Sequence, residues 1–308
     1  MMSPARPSMI STAVLTAGLL VAAALAAGCL GPAGASPTGS AGCGTPEASG
    51  ACGSSSTTAN TAGSSAGGFY LRVWKDQALP PQYTFTWLPV ATISDGKFID
   101  GMVAVPAIYP GPLWVGPSVR TVSANGIAAI VAEARKEGLL GAKSDFGEIL
   151  PGGISGHIEM IVDGKTYELE GDPNARTTAQ TPAPGSVAAF VAFWGEVSAL
   201  ATWIPDELGP STPYEPERLA VLALPPTDQA NGLTPTEVPW PLATPFSRFG
   251  TAMGGAANRC AVVTGADLAT LEPVVKQSNQ LTRFVDSENV KDSLEVRTLV
   301  PGEPSPCG

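Results

Sequence analysis

The stretch Gly156-His157-Ile158-Glu159-Met160-Ile161-Val162-Asp163-Gly164-Lys165-Thr166-Tyr167-Glu168-Leu169-Glu170 decides the fold class. Asp163-Gly164 is a two-residue signal for a type I′ turn, which needs positive φ at both positions. Counting outward from it pairs Val162 with Lys165, Met160 with Tyr167 and Ile158 with Leu169. Side chains alternate across a strand, so the apolar members of these pairs share one face. His157, Glu159, Thr166, Glu168 and Glu170 share the other. A hairpin with one apolar and one polar face belongs to an antiparallel sheet covered on one side.

The elements around it support a mixed architecture. Phe69 to Trp74 and Tyr83 to Leu88 alternate aromatic and polar residues and read as strands. Ser94-Asp95-Gly96 is a turn signal, and Phe98 to Val105 reads as the returning strand. Ser123 is an N-cap residue for a helix with Ile127, Ile130, Val131 and Ala134 on one face, stopped at Gly138. Ser186 caps a second helix striped by Val187, Phe190, Val191, Trp194 and Val197. Leu219 to Leu224 is a buried-type strand, and Pro225 to Pro245 reads as a loop.

The final unit reads strand, helix, strand, strand. Cys260 to Val263 leads to a helix capped by Thr264, and Thr282 to Val285 and Leu294 to Leu299 close it. Pro273 inside that helix should kink or split it. A shift that carries Ser123 onto Thr264 also carries Ile127 onto Leu268 and Ile130 onto Leu271. Duplication and ordinary strand–helix grammar both account for that weak repeat.

The fold class is therefore α+β, with antiparallel sheets covered by helices. Two subdomains are expected, residues 69–228 with the hairpin 156–170, and a smaller one, 229–308.

The N-terminus is built differently. Arg6 precedes a mostly apolar run from Met9 to Ala27, followed by Leu25-Ala26-Ala27-Gly28-Cys29. A basic residue, an apolar stretch and small residues before a cut describe a secretory signal, here 1–28. Ala24-Leu25-Ala26 is also a cleavage site for ordinary signal peptidase, and the apolar run is barely long enough to stay as a membrane helix. Residues 30–68 are almost wholly Gly, Ala, Ser, Thr and Pro. Such a segment cannot bury enough apolar surface to offset its ordering entropy, so 29–68 reads as a flexible tether with a reach of about 35 Å.

The chain has 5 cysteines, an odd number. Setting Cys29 aside leaves an even set outside the membrane, where disulfides form. Cys260 and Cys307 would staple the C-terminal tail to the core, and Cys43 and Cys52 would close a small loop in the tether. No C-x-x-C pair points to a metal.

Chemistry is sparse. The net charge of −10 repels phosphates, so nucleic acid is not an expected partner. His157 is the only histidine, and on the polar face of a hairpin it reads as a solvated residue. No nucleophile elbow, metalloprotease helix, P-loop or dinucleotide fingerprint occurs, and no cofactor is implied. Glu159, Glu168 and Glu170 share the His157 face and would suit carboxylate chemistry only if brought together in a cleft. Asp286, Glu288 and Asp292 form an acidic loop without the EF-hand spacing. Trp114 and Trp240 sit among prolines and are candidate ligand contacts, because exposed aromatics on rigid loops bind sugars and peptides.

The segment Leu25-Ala26-Ala27-Gly28-Cys29 resembles the lipobox of bacterial lipoproteins, with Ala26 where Leu, Val or Ile is usual. That resemblance implies a diacylglyceryl group on the Cys29 thiol, palmitate-type acylation, and cleavage just before it. Ser211-Thr212-Pro213-Tyr214-Glu215-Pro216-Glu217-Arg218-Leu219-Ala220-Val221, Trp240-Pro241-Leu242, Arg259-Cys260-Ala261-Val262-Val263-Thr264-Gly265 and Pro301-Gly302-Glu303-Pro304 before Cys307 resemble uncharacterised actinobacterial lipoproteins. No activity comes with that resemblance. The order strands, helix, hairpin, helix over 69–203 resembles emfourin, an inhibitor of thermolysin-type metalloproteases.

Together these readings give a lipoprotein on the extracytoplasmic face of the cell membrane. It is expected to act as a binding or interaction module rather than an enzyme, with an envelope protein or a protease as partner. The alternative is a carboxylate-dependent hydrolase of the cell envelope.

Overall fold

A computed structural model describes residues 68–102, 107–177, 181–227 and 232–308. The signal, the tether, Cys29, Cys43 and Cys52 lie outside them. Two sheets organise the described chain, and both belong to one compact unit.

The first sheet is built by β1 (Tyr70–Gln77), β2 (Ala91–Ser94), β3 (Lys97–Asp100), β4 (Ser118–Thr121), β5 (Asp145–Phe146), β6 (Ile154–Val162), β7 (Lys165–Gly171) and β8 (Thr212–Pro213). Helices α1 (Pro81–Thr84), α2 (Ala124–Lys136), α3 (Val187–Ser198) and α4 (Leu200–Trp203) are interspersed. The strand order is β5-β7-β6-β1-β2-β3-β4-β8. The expected hairpin is β6–β7, in the expected register, with Val162 opposite Lys165 and Ile158 opposite Leu169. Asp163 and Gly164 both have positive φ, as the I′ turn requires.

The apolar face of this sheet packs Leu71, Val73, Ile93, Ile158, Met160 and Leu169 against α2 and α3. Ser123 caps α2 by accepting the Gly126 N–H, and Ser186 caps α3 by accepting that of Ala189. Each cap satisfies one of the backbone donors a helix start leaves open.

The second sheet comprises β9 (Arg218–Leu224), β10 (Glu237–Pro239), β11 (Thr251–Ala252), β12 (Arg259–Thr264), β13 (Arg283–Val285) and β14 (Lys291–Thr298), in the order β10-β13-β14-β9-β12-β11. Helix α5 (Gly265–Gln277) lies between β12 and β13 in the chain and buries Leu268, Leu271 and Val275. In both sheets a helix crosses the first strand: β1 lies between β2 and β6, and β9 between β12 and β14. Helices α2 and α5 are both 13 residues long, as the sequence shift anticipates.

Several expectations change. The segment 83–88 is not a strand. Pro81 starts a helical turn, which sends Phe85 inward and leaves Tyr83 exposed. The alternation there reflects a single anchored ring. The strand 218–224, grouped by pattern with the first subdomain, is central in the second sheet, with Leu219–Ala223 buried on both faces. Within the expected loop 225–245, β10 pairs in parallel with β13. Helix α5 runs unbroken through Pro273, its buried stripe offsetting the bond that Ala269 cannot receive. Thr264 occupies the N-cap of α5, but its side chain makes no capping bond.

The C-terminal turn fastens the two sheets together. The Tyr70 hydroxyl donates to the Pro301 carbonyl, and Arg72 donates to that of Gly302. Arg218 donates to the carbonyls of Val300 and Glu303, while Arg297 pairs with the Glu303 carboxylate. Beyond the turn, Cys307 meets Cys260 at disulfide distance, with Cα atoms 5.2 Å apart.

Candidate functional site

A groove of about 590 Å3 lies on the polar face of the hairpin. Strand pairing assembles its floor. Arg72 of β1 stands opposite Glu159 of β6, and Trp74 opposite His157. On the far side of β6, Glu168 of β7 stands opposite Glu159, and Glu170 opposite His157. Antiparallel pairing brings such side chains within contact distance, so the floor follows from register alone.

The contacts are specific. The Arg72 guanidinium bonds Glu159 at 2.9 Å and sits 4.3 Å from the Trp74 ring centre. Trp74 and His157 stack with centroids 5.0 Å apart and planes 10° apart. The Ser155 hydroxyl donates to Glu170 at 2.8 Å. Segment 144–149 flanks the floor because β5 pairs in parallel with the end of β7 and the Glu170 N–H donates to the Ser144 carbonyl at 2.7 Å. That segment adds Asp145 and Glu148 to the lining.

His157 departs from its expected role. It is half-buried against Trp74 rather than solvated. Burial lowers its pKa and Arg72 adds to that, against the opposing pull of Glu170 and Asp76, so the ring is neutral near pH 7. Its Nε2 and the Nε of Arg72 are buried without a hydrogen-bond partner.

Trp114 and Trp240 are core residues, not exposed platforms. Trp114 is 8% exposed and its ring N–H donates to the Thr298 hydroxyl. Trp240 is 7% exposed, donates to the Thr244 carbonyl, and packs on Phe246, Phe249 and Phe284. Prolines position both loops, but each loop folds its indole inward to cover the second core. A shallower depression of about 350 Å3 runs past the Trp114 edge, between Pro117, Tyr214 and Lys276.

The acidic loop is self-contained. Burial alone would raise the Asp286 carboxyl. Donors from the Phe246, Glu288 and Val290 backbone outweigh that and hold it below its usual range. Burial, with the charge of Asp286, pushes Asp292 up to about 6. Among the described residues no group of His, Cys, Asp and Glu is arranged to hold a metal, and no helix there is long and apolar enough to cross a membrane.

Comparison of the chain with protein-family models, curated proteins and solved structures gives no significant match. The Ser155 hydroxyl points its proton at a carboxylate, not at His157, so no Ser–His relay is assembled. Glu159 is engaged by Arg72. What remains is a negatively charged wall of Asp145, Glu148, Glu168 and Glu170 beside a rigid Arg72–Trp74–His157 floor. Sequence reading found the hairpin half of this site and missed Arg72 and Trp74. Their alternation along β1 was visible, but not the strand they would face.

Proposed function

We propose that this chain is a lipid-anchored extracytoplasmic binding module, with its ligand seat in the groove on the outer face of the first sheet. Acylation of Cys29 holds it at the cell membrane, and 29–68 lets the folded part stand off the surface. Two or three acyl chains suffice for stable anchoring, where one is marginal. The observation that carries the reading is the groove itself. It has a built floor, an unbalanced acidic wall and no assembled nucleophile.

An envelope protein fits such a seat better than nucleic acid, which the charge of −10 repels. The emfourin-like element order supports a protease as one such partner. The test is capture of envelope proteins by the full chain, compared with a Glu168→Lys/Glu170→Lys variant. A partner retained by the native groove and lost from the variant is expected. Capture unchanged by charge reversal would place the seat elsewhere. A mature N-terminus at any residue other than Cys29 would remove the anchoring half of the proposal.

The hydrolase reading keeps one supporting observation, the carboxylates of segment 144–149 and of β7 lining the same groove. It requires release of products from envelope polysaccharide by the purified protein, and loss of that release in Glu168→Gln.

A further inference from the structure

We infer that the groove seats an extended, lysine- or arginine-bearing peptide segment, added as a strand along the open edge of β7; this rests on the binding-module reading. Two independent features meet there, a free backbone edge and an uncompensated negative wall.

The edge follows from the turn. A two-residue I′ turn makes Val162 and Lys165 a hydrogen-bonded pair, and the pattern alternates from there. Lys165, Tyr167 and Leu169 therefore direct their backbone groups at β6, and Thr166, Glu168 and Glu170 direct theirs outward. Strand β5 reaches only Glu170 and Gly171. The outward Glu170 N–H is taken by the Ser144 carbonyl, which verifies the phase. Thr166 and Glu168 are exposed, and neither has a backbone partner on that side among the described residues. An edge of this kind is a template for strand addition by a peptide.

Charge selects what can use it. The outward residues of β7 carry Glu168 and Glu170 onto the groove face, and Asp145 faces the same space. Arg72 is already neutralised by Glu159 at 2.9 Å. An acidic or neutral strand meets repulsion or nothing here, while a basic one gains a counter-ion at alternate residues. The edge is thus guarded against self-association and open to a cationic partner. A volume of about 590 Å3 falls within the range typical of ligand clefts.

The experiment uses the purified full chain and a labelled decapeptide of alternating Lys and Val, read by fluorescence anisotropy. A Glu–Val counterpart and a Lys–Val peptide N-methylated at alternate residues, in either phase, serve as comparisons. The expected result is salt-sensitive binding of the Lys peptide, none of the Glu peptide, and loss in at least one N-methylated phase. Glu168→Gln/Glu170→Gln should weaken binding by at least about tenfold. Binding of both N-methylated peptides as tight as that of the unmethylated Lys peptide would overturn strand addition. Binding unaffected by the Gln variant would overturn the location. Failure of the Lys peptide, beside groove-dependent capture of an envelope protein, would overturn the cationic occupant and leave the binding-module reading standing.

Discussion

Asp292 gives the sharpest quantitative test of the second sheet. It is 5% exposed, on β14 opposite Phe284, and its pKa is pushed up to about 6 from 3.8 by burial and by the charge of Asp286. A carboxyl that binds its proton more tightly in the folded than in the unfolded state favours folding at low pH. The native state holds that proton between the two pKa values and the unfolded state does not, so stability falls as pH rises through this window. A shift of roughly two units corresponds to as much as about 3 kcal/mol. Asp292→Asn keeps the shape and never ionises. Its stability relative to the native chain should be flat below about pH 4, climb from there to about pH 6, and level off above. The cost of burying an amide offsets the whole curve without changing its form. Urea unfolding of both proteins across this range, with the disulfide intact, measures the difference directly. A difference independent of pH, or one that falls as pH rises, would refute the assignment of a strained buried carboxylate.

Three further outcomes are expected. Replacing Cys307 by Ser opens a loop of separation 47 that encloses α5 and the closing strands, and should cost about 4 kcal/mol in the loop-entropy picture; recovery of both thiols free from envelope-purified protein would contradict the pairing. Ser123→Ala should destabilise by about 1 kcal/mol, while Thr264→Ala, which removes no capping bond, should stay within about 0.5 kcal/mol; equal losses in thermal melts would show that the caps do not differ. His157→Ala should cost about 1 kcal/mol through loss of its stack on Trp74, and should alter tryptophan fluorescence. A stability change indistinguishable from zero would return His157 to the solvated role that its strand pattern first gives it.

What the sequence determined by itself was local. Asp163-Gly164 set the turn, the turn set the register of β6 and β7, and alternation of period two sorted Ile158 and Met160 from His157 and Glu159. Ser123 and Ser186 marked helix starts because a side-chain oxygen answers backbone donors only two or three residues away. Even the Cys260–Cys307 pairing was legible, since setting Cys29 and the tether cysteines apart left these two. The tertiary structure alone decided what each face would meet. It laid β1 against β6, so Arg72 reached Glu159 and Trp74 covered His157. It also turned Trp114 and Trp240 inward and placed β9 at the centre of the second sheet. Periodicity states that a strand has two faces. Whether the polar one stays in water or becomes the floor of a groove depends on a strand arriving from more than eighty residues away, and no local pattern carries that information.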